Sequence, residues 1–115
     1  MKNESTKRWY QYRKRSINKG LNYLTSEEFK GFWDTPHICC YCGIKESDII
    51  KKYPNLRIKA MTVDRKDTTQ GYTKDNIAWA CFPCNCIKSF SLTHNEMKEI
   101  GKKYISPKLW ERIDR

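Results

Sequence analysis

Residues 62–89 read T-V-D-R-K-D-T-T-Q-G-Y-T-K-D-N-I-A-W-A-C-F-P-C-N-C-I-K-S, and this stretch decides the fold. Together with the residues before it, R-I-K-A-M-T-V-D over 57–64 reads as a strand. A polar loop follows over 65–75, in which Gly71 marks a turn. Asn76-Ile77-Ala78-Trp79-Ala80 reads as the returning strand, and a helix follows through Asn85–Ser89. Strand, loop, strand and helix in this order predict a small α+β core, placed at residues 37–90.

Helices are expected on either side of that core. Residues 1–20 form a basic N-terminal segment, helical over 5–19 and ended by Gly20. Thr25-Ser26-Glu27-Glu28 is a capping box that opens a short helix, on which Phe29, Phe32 and Trp33 form an apolar face. Asp34-Thr35-Pro36 ends it, and residues 45–53 carry a further short helix stopped by Pro54. Thr93-His94-Asn95-Glu96 is a second capping box, for a helix running to about Tyr104. Ser106-Pro107 opens a last helix, so residues 93–115 are helical. At 115 residues the chain is read as a single domain, 1–115. Its hydrophobic core is modest, and a structural metal would help it.

The cysteines supply that metal. Cys39/Cys42 and Cys81/Cys84 form two C-x-x-C pairs with 38 residues between them, bracketing the hairpin. Each C-x-x-C turn presents two sulfurs on one side of a tight loop, and two such turns complete the tetrahedron that structural zinc favours. One zinc ion would clamp the entrance and exit of the hairpin. Cys40 and Cys86 fall outside this spacing and are expected to be buried or half-buried thiols.

Lys and Arg number 23 against 13 Asp and Glu, a formal net charge of +10. Such an excess in a small domain points to a polyanionic partner. Residues 1–19 hold seven Lys or Arg against one acid, Glu4, with Trp9, Tyr10 and Tyr12 interleaved. That mixture suits phosphate contacts with ring stacking nearby, and Arg13, Lys14 and Arg15 are the candidate DNA-binding residues. A solvated basic helix is the plainer alternative. The segment lacks the broad aliphatic face of a membrane-bound helix, and no run approaches the ~18 apolar residues of a span. MKNESTKRWYQYRKR has no apolar signal region, so a cytoplasmic protein with reduced thiols is expected.

The stretch 62–89 resembles the HNH endonucleases, also called His-Me finger or ββα-metal nucleases. The segment Y-R-K-R-S-I-N-K-G-L-N-Y-L-T-S-E-E-F is similar to the leader of phage-type members. C-x-Y-C-G-I, V-D-R, G-Y, A-C-F-x-C-N and I-K-S are similar to motifs of rare-cutting HNH restriction enzymes. In the family pattern, Asp-His ends the first strand, Asn starts the second, and His or Asn opens the helix. Asp64, Asn76 and Asn85 take those places, with Arg65 where the His is expected.

The resemblance implies a divalent-metal-dependent DNA endonuclease acting on double-stranded DNA. Asp64 and Asn85 would hold Mg²⁺ or Mn²⁺, which polarises the scissile phosphate. Asn76 would brace the loop or orient the base, and Lys88 would contact phosphate. A guanidinium stays protonated, so Arg65 cannot take a proton from water and is expected to grip the phosphate. The base is then Tyr72, Tyr41, His37 or His94; the sequence leaves this open. In a regular strand Asp64 and Arg65 point to opposite faces, so both serve one site only if the strand ends or bulges there. A restriction role would imply a homodimer on a palindromic site.

Two other functions remain at this point. One is a catalytically silent zinc-containing DNA-binding module, with Arg65 marking the lost base. The other is a zinc-stapled subunit that works through a protein partner.

Overall fold

The computed structural model describes residues 4–89 and 91–105. Its elements are α1 (Glu4–Asn18), α2 (Ser26–Trp33), α3 (Glu46–Lys52), β1 (Thr62–Arg65), β2 (Ile77–Ala80), α4 (Phe82–Lys88) and α5 (His94–Ile100). A π-helical turn, Gly101–Ile105, extends α5. The described residues gather into two compact units, one of 4–36 with 65–77, the other of 37–64 with 78–89 and 91–105.

In the first unit, α1 and α2 pack on each other. Tyr12 is buried on α1, with its ring 5.9 Å from Phe29 of α2 and 4.6 Å from Tyr72 of the loop. Trp9 Nε1 donates to Leu24 O at 2.8 Å, tying α1 to the segment that leads into α2. As expected, Thr25 caps α2: its hydroxyl accepts from Glu28 N–H, and Glu28 accepts from Thr25 N–H. The loop after β1 joins the same unit through a parallel bridge between Tyr23 and Tyr72. Gly71 is required there for closeness: a Cβ would lie 1.9 Å from the Asn22 carbonyl oxygen.

In the second unit, residues 62–64 of β1 pair with 78–80 of β2, which leads directly into α4; Arg65 and Ile77 are counted with the first unit. Lys66 N–H donates to Asn76 O at 2.7 Å, and four residues back the Thr62 hydroxyl reaches Ala80 O, four residues on. The pairing is therefore antiparallel. Ile49, Met61, Val63, Trp79, Ala80, Met97 and the four paired cysteines are buried here.

The first strand is shorter than its sequence suggests, beginning at Thr62 rather than at residue 57. The returning strand explains this: it has four residues before Cys81 caps α4, so earlier residues have no partner to pair with. Met61 N–H donates instead to Glu46 Oε2. The helix after the hairpin begins at Phe82, ahead of the expected Asn85, because Pro83 fits its first turn. The second capping box forms as expected, but α5 ends at Ile100 and continues as a π-turn. The helix expected from Ser106-Pro107 lies outside the described residues. Cys86 is exposed, contrary to expectation, while Cys40 is half-buried.

Candidate active site and zinc centre

The four sulfurs of Cys39, Cys42, Cys81 and Cys84 lie within 4.8 Å of one another, and all four residues are buried. The Cys42–Cys81 separation of 3.7 Å matches the edge of about 3.8 Å of a tetrahedron with zinc–sulfur bonds of ~2.3 Å. The amide N–H groups of Tyr41 and Cys42 donate to Cys39 Sγ at 3.4 and 3.5 Å, as they would to a thiolate ligand. Hydrogen bonds from Cys42 and Cys81 drive the Cys39 thiol far below its usual range. The same network drives Cys81 and Cys84 well above theirs. Four buried sulfurs close enough to share one ion are a donor set that a divalent cation fits. These cysteines could hold one zinc ion, with no coordination position left for chemistry. Cys40 is not one of them: burial, then the charge of Cys39, pushes its thiol up to about 12.

Asp64 lies near the end of β1 and is 4% exposed. The Tyr41 hydroxyl donates to its Oδ2, and Lys88 Nζ lies 3.4 Å from its Oδ1. Tyr41 belongs to the first C-x-x-C turn, so the same loop that presents two sulfurs also aims a phenol at the carboxylate. Burial, then the hydrogen bond to Asp64, raises the Tyr41 phenol well above its usual range. It therefore stays protonated.

The Tyr41 oxygen also lies 2.9 Å from His94 Nδ1, at the start of α5. A phenol has one hydrogen, and Tyr41 gives it to Asp64. His94 Nδ1 must then be the donor in the second bond, which in a neutral ring leaves the lone pair on Nε2. A close packing contact holds this arrangement, since a Cβ on Gly101 would lie 2.4 Å from the Tyr41 carbonyl oxygen.

α4 meets β1 through two side-chain pairs. Asn85 Nδ2 donates to Thr62 Oγ1 at 3.1 Å, and Lys88 reaches Asp64. Residues 85 and 88 share one helix face, and 62 and 64 share one strand face. Asn85 is thereby on the Asp64 side of the helix. Thr62 was not singled out in the sequence, although its place two residues before Asp64 puts it on the same strand face.

The remaining expected residues have partners of their own. Lys88, expected to meet phosphate, is 1% exposed against Asp64. His37 stacks on Trp79 at 4.1 Å and bonds Glu46 at 3.3 Å. Arg65, Tyr72 and Asn76 all fall in the first unit. Arg65 Nη1 donates to Thr68 O and Gln70 O, each at 3.1 Å, with its guanidinium 5.3 Å from the Tyr72 ring centre. Asn76 Oδ1 accepts from Asp67 N–H, and its Nδ2 donates to Asp67 O and Gly71 O. These bonds brace the loop from both ends. On α1, Arg13 lies over the rings of Trp9 and Tyr23, Arg15 lies over Tyr12, and Lys14 is exposed. No helix among the described residues is long and apolar enough to cross a membrane.

No family model and no curated protein matches this chain. A solved structure does, that of the rare-cutting HNH restriction endonuclease PacI, described for its mechanism of DNA perturbation. The TM-score is 0.79 at 28% sequence identity, over 95% of this chain and 81% of that one. The α+β fold with its four clustered cysteines is thus the fold of an HNH endonuclease.

Proposed function

We propose that this chain, built on the fold of an HNH restriction endonuclease, is a divalent-metal-dependent endonuclease that hydrolyses phosphodiester bonds of double-stranded DNA. The observation that carries the reading is the buried Asp64 carboxylate, bonded to Tyr41 and through it to His94, beside the zinc-type cysteine cluster. The donor set fits a hard divalent cation, since Asp64 already draws an ammonium group at 3.4 Å and Asn85 adds an amide oxygen on the same side. Mg²⁺ or Mn²⁺ held by Asp64 and Asn85 would polarise the scissile phosphate and stabilise the leaving oxygen.

The protein's own groups divide the remaining work. Tyr41 fixes the orientation of Asp64 and the tautomer of His94. His94 Nε2 accepts the proton of the attacking water, the part that Arg65 cannot take. Asn76 holds the loop after Asp64 in shape, and Arg65 and Tyr72 stiffen it by stacking. Arg13, Lys14 and Arg15 of α1 supply affinity for the DNA backbone. The whole chain acts as one endonuclease domain, as a homodimer where the site is palindromic.

Incubation of zinc-loaded protein with supercoiled and linear DNA, in Mg²⁺, Mn²⁺ or EDTA, tests this. Cleavage that needs the divalent ion is expected. One observation favours a second reading, a silent DNA-binding module: the residue after Asp64 is an arginine engaged with loop carbonyls. Salt-sensitive DNA binding without cleavage in any metal would select it.

A further inference from the structure

The carboxylate proposed to hold the catalytic ion already has a cation of its own. Lys88 Nζ lies 3.4 Å from Asp64 Oδ1, and the two side chains are 1% and 5% exposed. Among the described residues no other pair of opposite charges is buried to this degree; His37–Glu46 is half-buried and Lys103–Glu99 lies on the surface. The backbone under Lys88 is held firmly. Its carbonyl oxygen accepts from both Ser91 and Leu92 N–H at 3.2 Å. Ser89, which follows, has φ 45°, a left-handed conformation uncommon for a residue with a side chain. A locked backbone leaves the four-carbon stem as the part of Lys88 that can move.

We propose that Lys88 is a tethered cation that occupies Asp64 until the divalent ion displaces it, so that it sets the affinity of the site for metal. The inference rests on the metal-dependent reading above. A carboxylate buried with Tyr41 as its other partner needs a positive charge beside it while no metal is bound. Lys88 supplies that charge at the cost of competition: the fraction of protein whose Asp64 is released fixes the apparent affinity for the ion. Entry of the ion brings two positive charges to the carboxylate and expels the ammonium by repulsion. The expelled group swings on its stem and becomes available to a bound phosphate. Lys88 is then a positioning residue in the metal-free protein and a phosphate contact in the loaded one.

The test is Mn²⁺ binding by zinc-loaded protein, followed by calorimetry and by the loss of the free-ion electron paramagnetic signal, with no DNA present. Lys88→Met removes the charge and keeps an apolar stem; its Mn²⁺ affinity should rise about tenfold if Lys88 holds Asp64 in nine molecules of ten. Lys88→Arg keeps the charge and should stay close to the unaltered chain. Unchanged or weaker binding by folded Lys88→Met overturns the proposal. The unaltered protein gives an independent reading if Lys88→Met does not fold. Reductive methylation of Lys88, read by mass spectrometry, should be slow without Mn²⁺ and several-fold faster with it. Equal protection in both states overturns the proposal as well. Asp64→Asn separates the two levels of inference. Loss of the bound Mn²⁺ in Asp64→Asn supports the site itself, whatever Lys88 does. Equal Mn²⁺ binding by Asp64→Asn and the unaltered chain, or none by either, removes the proposed metal site and the role of Lys88 with it.

Discussion

Tyr41 donates its hydroxyl hydrogen to the Asp64 carboxylate while its oxygen lies 2.9 Å from His94 Nδ1. Three elements far apart in sequence meet through one phenol: the first cysteine turn, the end of β1 and the start of α5. The phenol fixes where the carboxylate points and which ring nitrogen of the histidine carries the hydrogen. The proposed base, His94 Nε2, and the proposed metal ligand, Asp64, are thereby oriented by the same group.

Substitutions at Tyr41 and His94 therefore have different signatures. His94→Ala removes the proposed base and should lower kcat by about 10²–10⁴-fold with DNA affinity kept. Tyr41→Phe leaves both neighbours in place but unties them, so kcat should fall less. Single-turnover cleavage across pH checks this. A larger loss in Tyr41→Phe than in His94→Ala would make the phenol itself the proton acceptor.

Zinc should be structural. Four thiolates close the coordination shell, and such sites contribute roughly 10–16 kcal/mol of apparent binding energy in finger peptides. Cys42→Ser and Cys84→Ser should lose zinc and unfold or aggregate, as should the unaltered chain under a strong chelator. Elemental analysis with circular dichroism on the same samples is the check; folded native protein without zinc would sink the idea.

Much of this was legible in the sequence, and the limits have physical causes. The cysteine spacing, the hairpin order and the two capping boxes are local signals, and each survives folding because its partners lie a few residues apart or share one ion. Strand length was not legible: whether 57–61 can pair depends on how soon the returning chain turns into a helix at Cys81. The group around Asp64 was legible only in part. Tyr41 and His94 stood among four candidate bases because proximity across 53 residues is a tertiary fact. Lys88 was expected to contact phosphate; lysines are seldom buried, and its burial against Asp64 shows only in three dimensions.

The basic helix should supply affinity with little sequence discrimination. Lys14 is exposed, and Arg13 and Arg15 lie over aromatic rings that hold their guanidinium groups in place. Removing one cation that pairs with a phosphate should reduce the log–log salt slope of binding by about one. Replacing Arg13, Lys14 and Arg15 with Ala should weaken binding alike on all DNA sequences. An unchanged slope means that the backbone is gripped elsewhere.

Two glycines give an internal control on packing. A Cβ at Gly101 would lie 2.4 Å from the Tyr41 carbonyl oxygen, whereas one at Gly31, within α2, meets nothing within 4 Å. Gly101→Ala should cost about 1–3 kcal/mol and disturb the Tyr41 hydrogen bonds. Gly31→Ala should gain roughly 0.5–1 kcal/mol, the helix preference of Ala over Gly. Thermal unfolding of the two variants should move in opposite directions.

Asp64 should be the residue whose loss separates DNA binding from cleavage, and its burial decides which substitution shows this. Asp64→Ala would leave the Lys88 ammonium buried without its partner, an arrangement that costs about 3–5 kcal/mol when one member of a buried pair is removed. Unfolding would then be confused with impaired chemistry. Asp64→Asn keeps the shape, leaves one oxygen to accept from the Lys88 ammonium while its NH2 faces the Tyr41 oxygen, and removes the charge that a divalent ion needs. Its zinc content and fold should survive, and its DNA affinity should hold or rise slightly, because a negative charge near the phosphate is gone. Cleavage should fall by several orders of magnitude, since the metal supplies several kcal/mol of transition-state stabilisation and each 1.36 kcal/mol is about tenfold in rate. Metal-dependent cleavage and gel-shift affinity, measured on one zinc-checked preparation, decide the matter. Near-normal cleavage by folded Asp64→Asn would put the chemistry somewhere other than the end of β1.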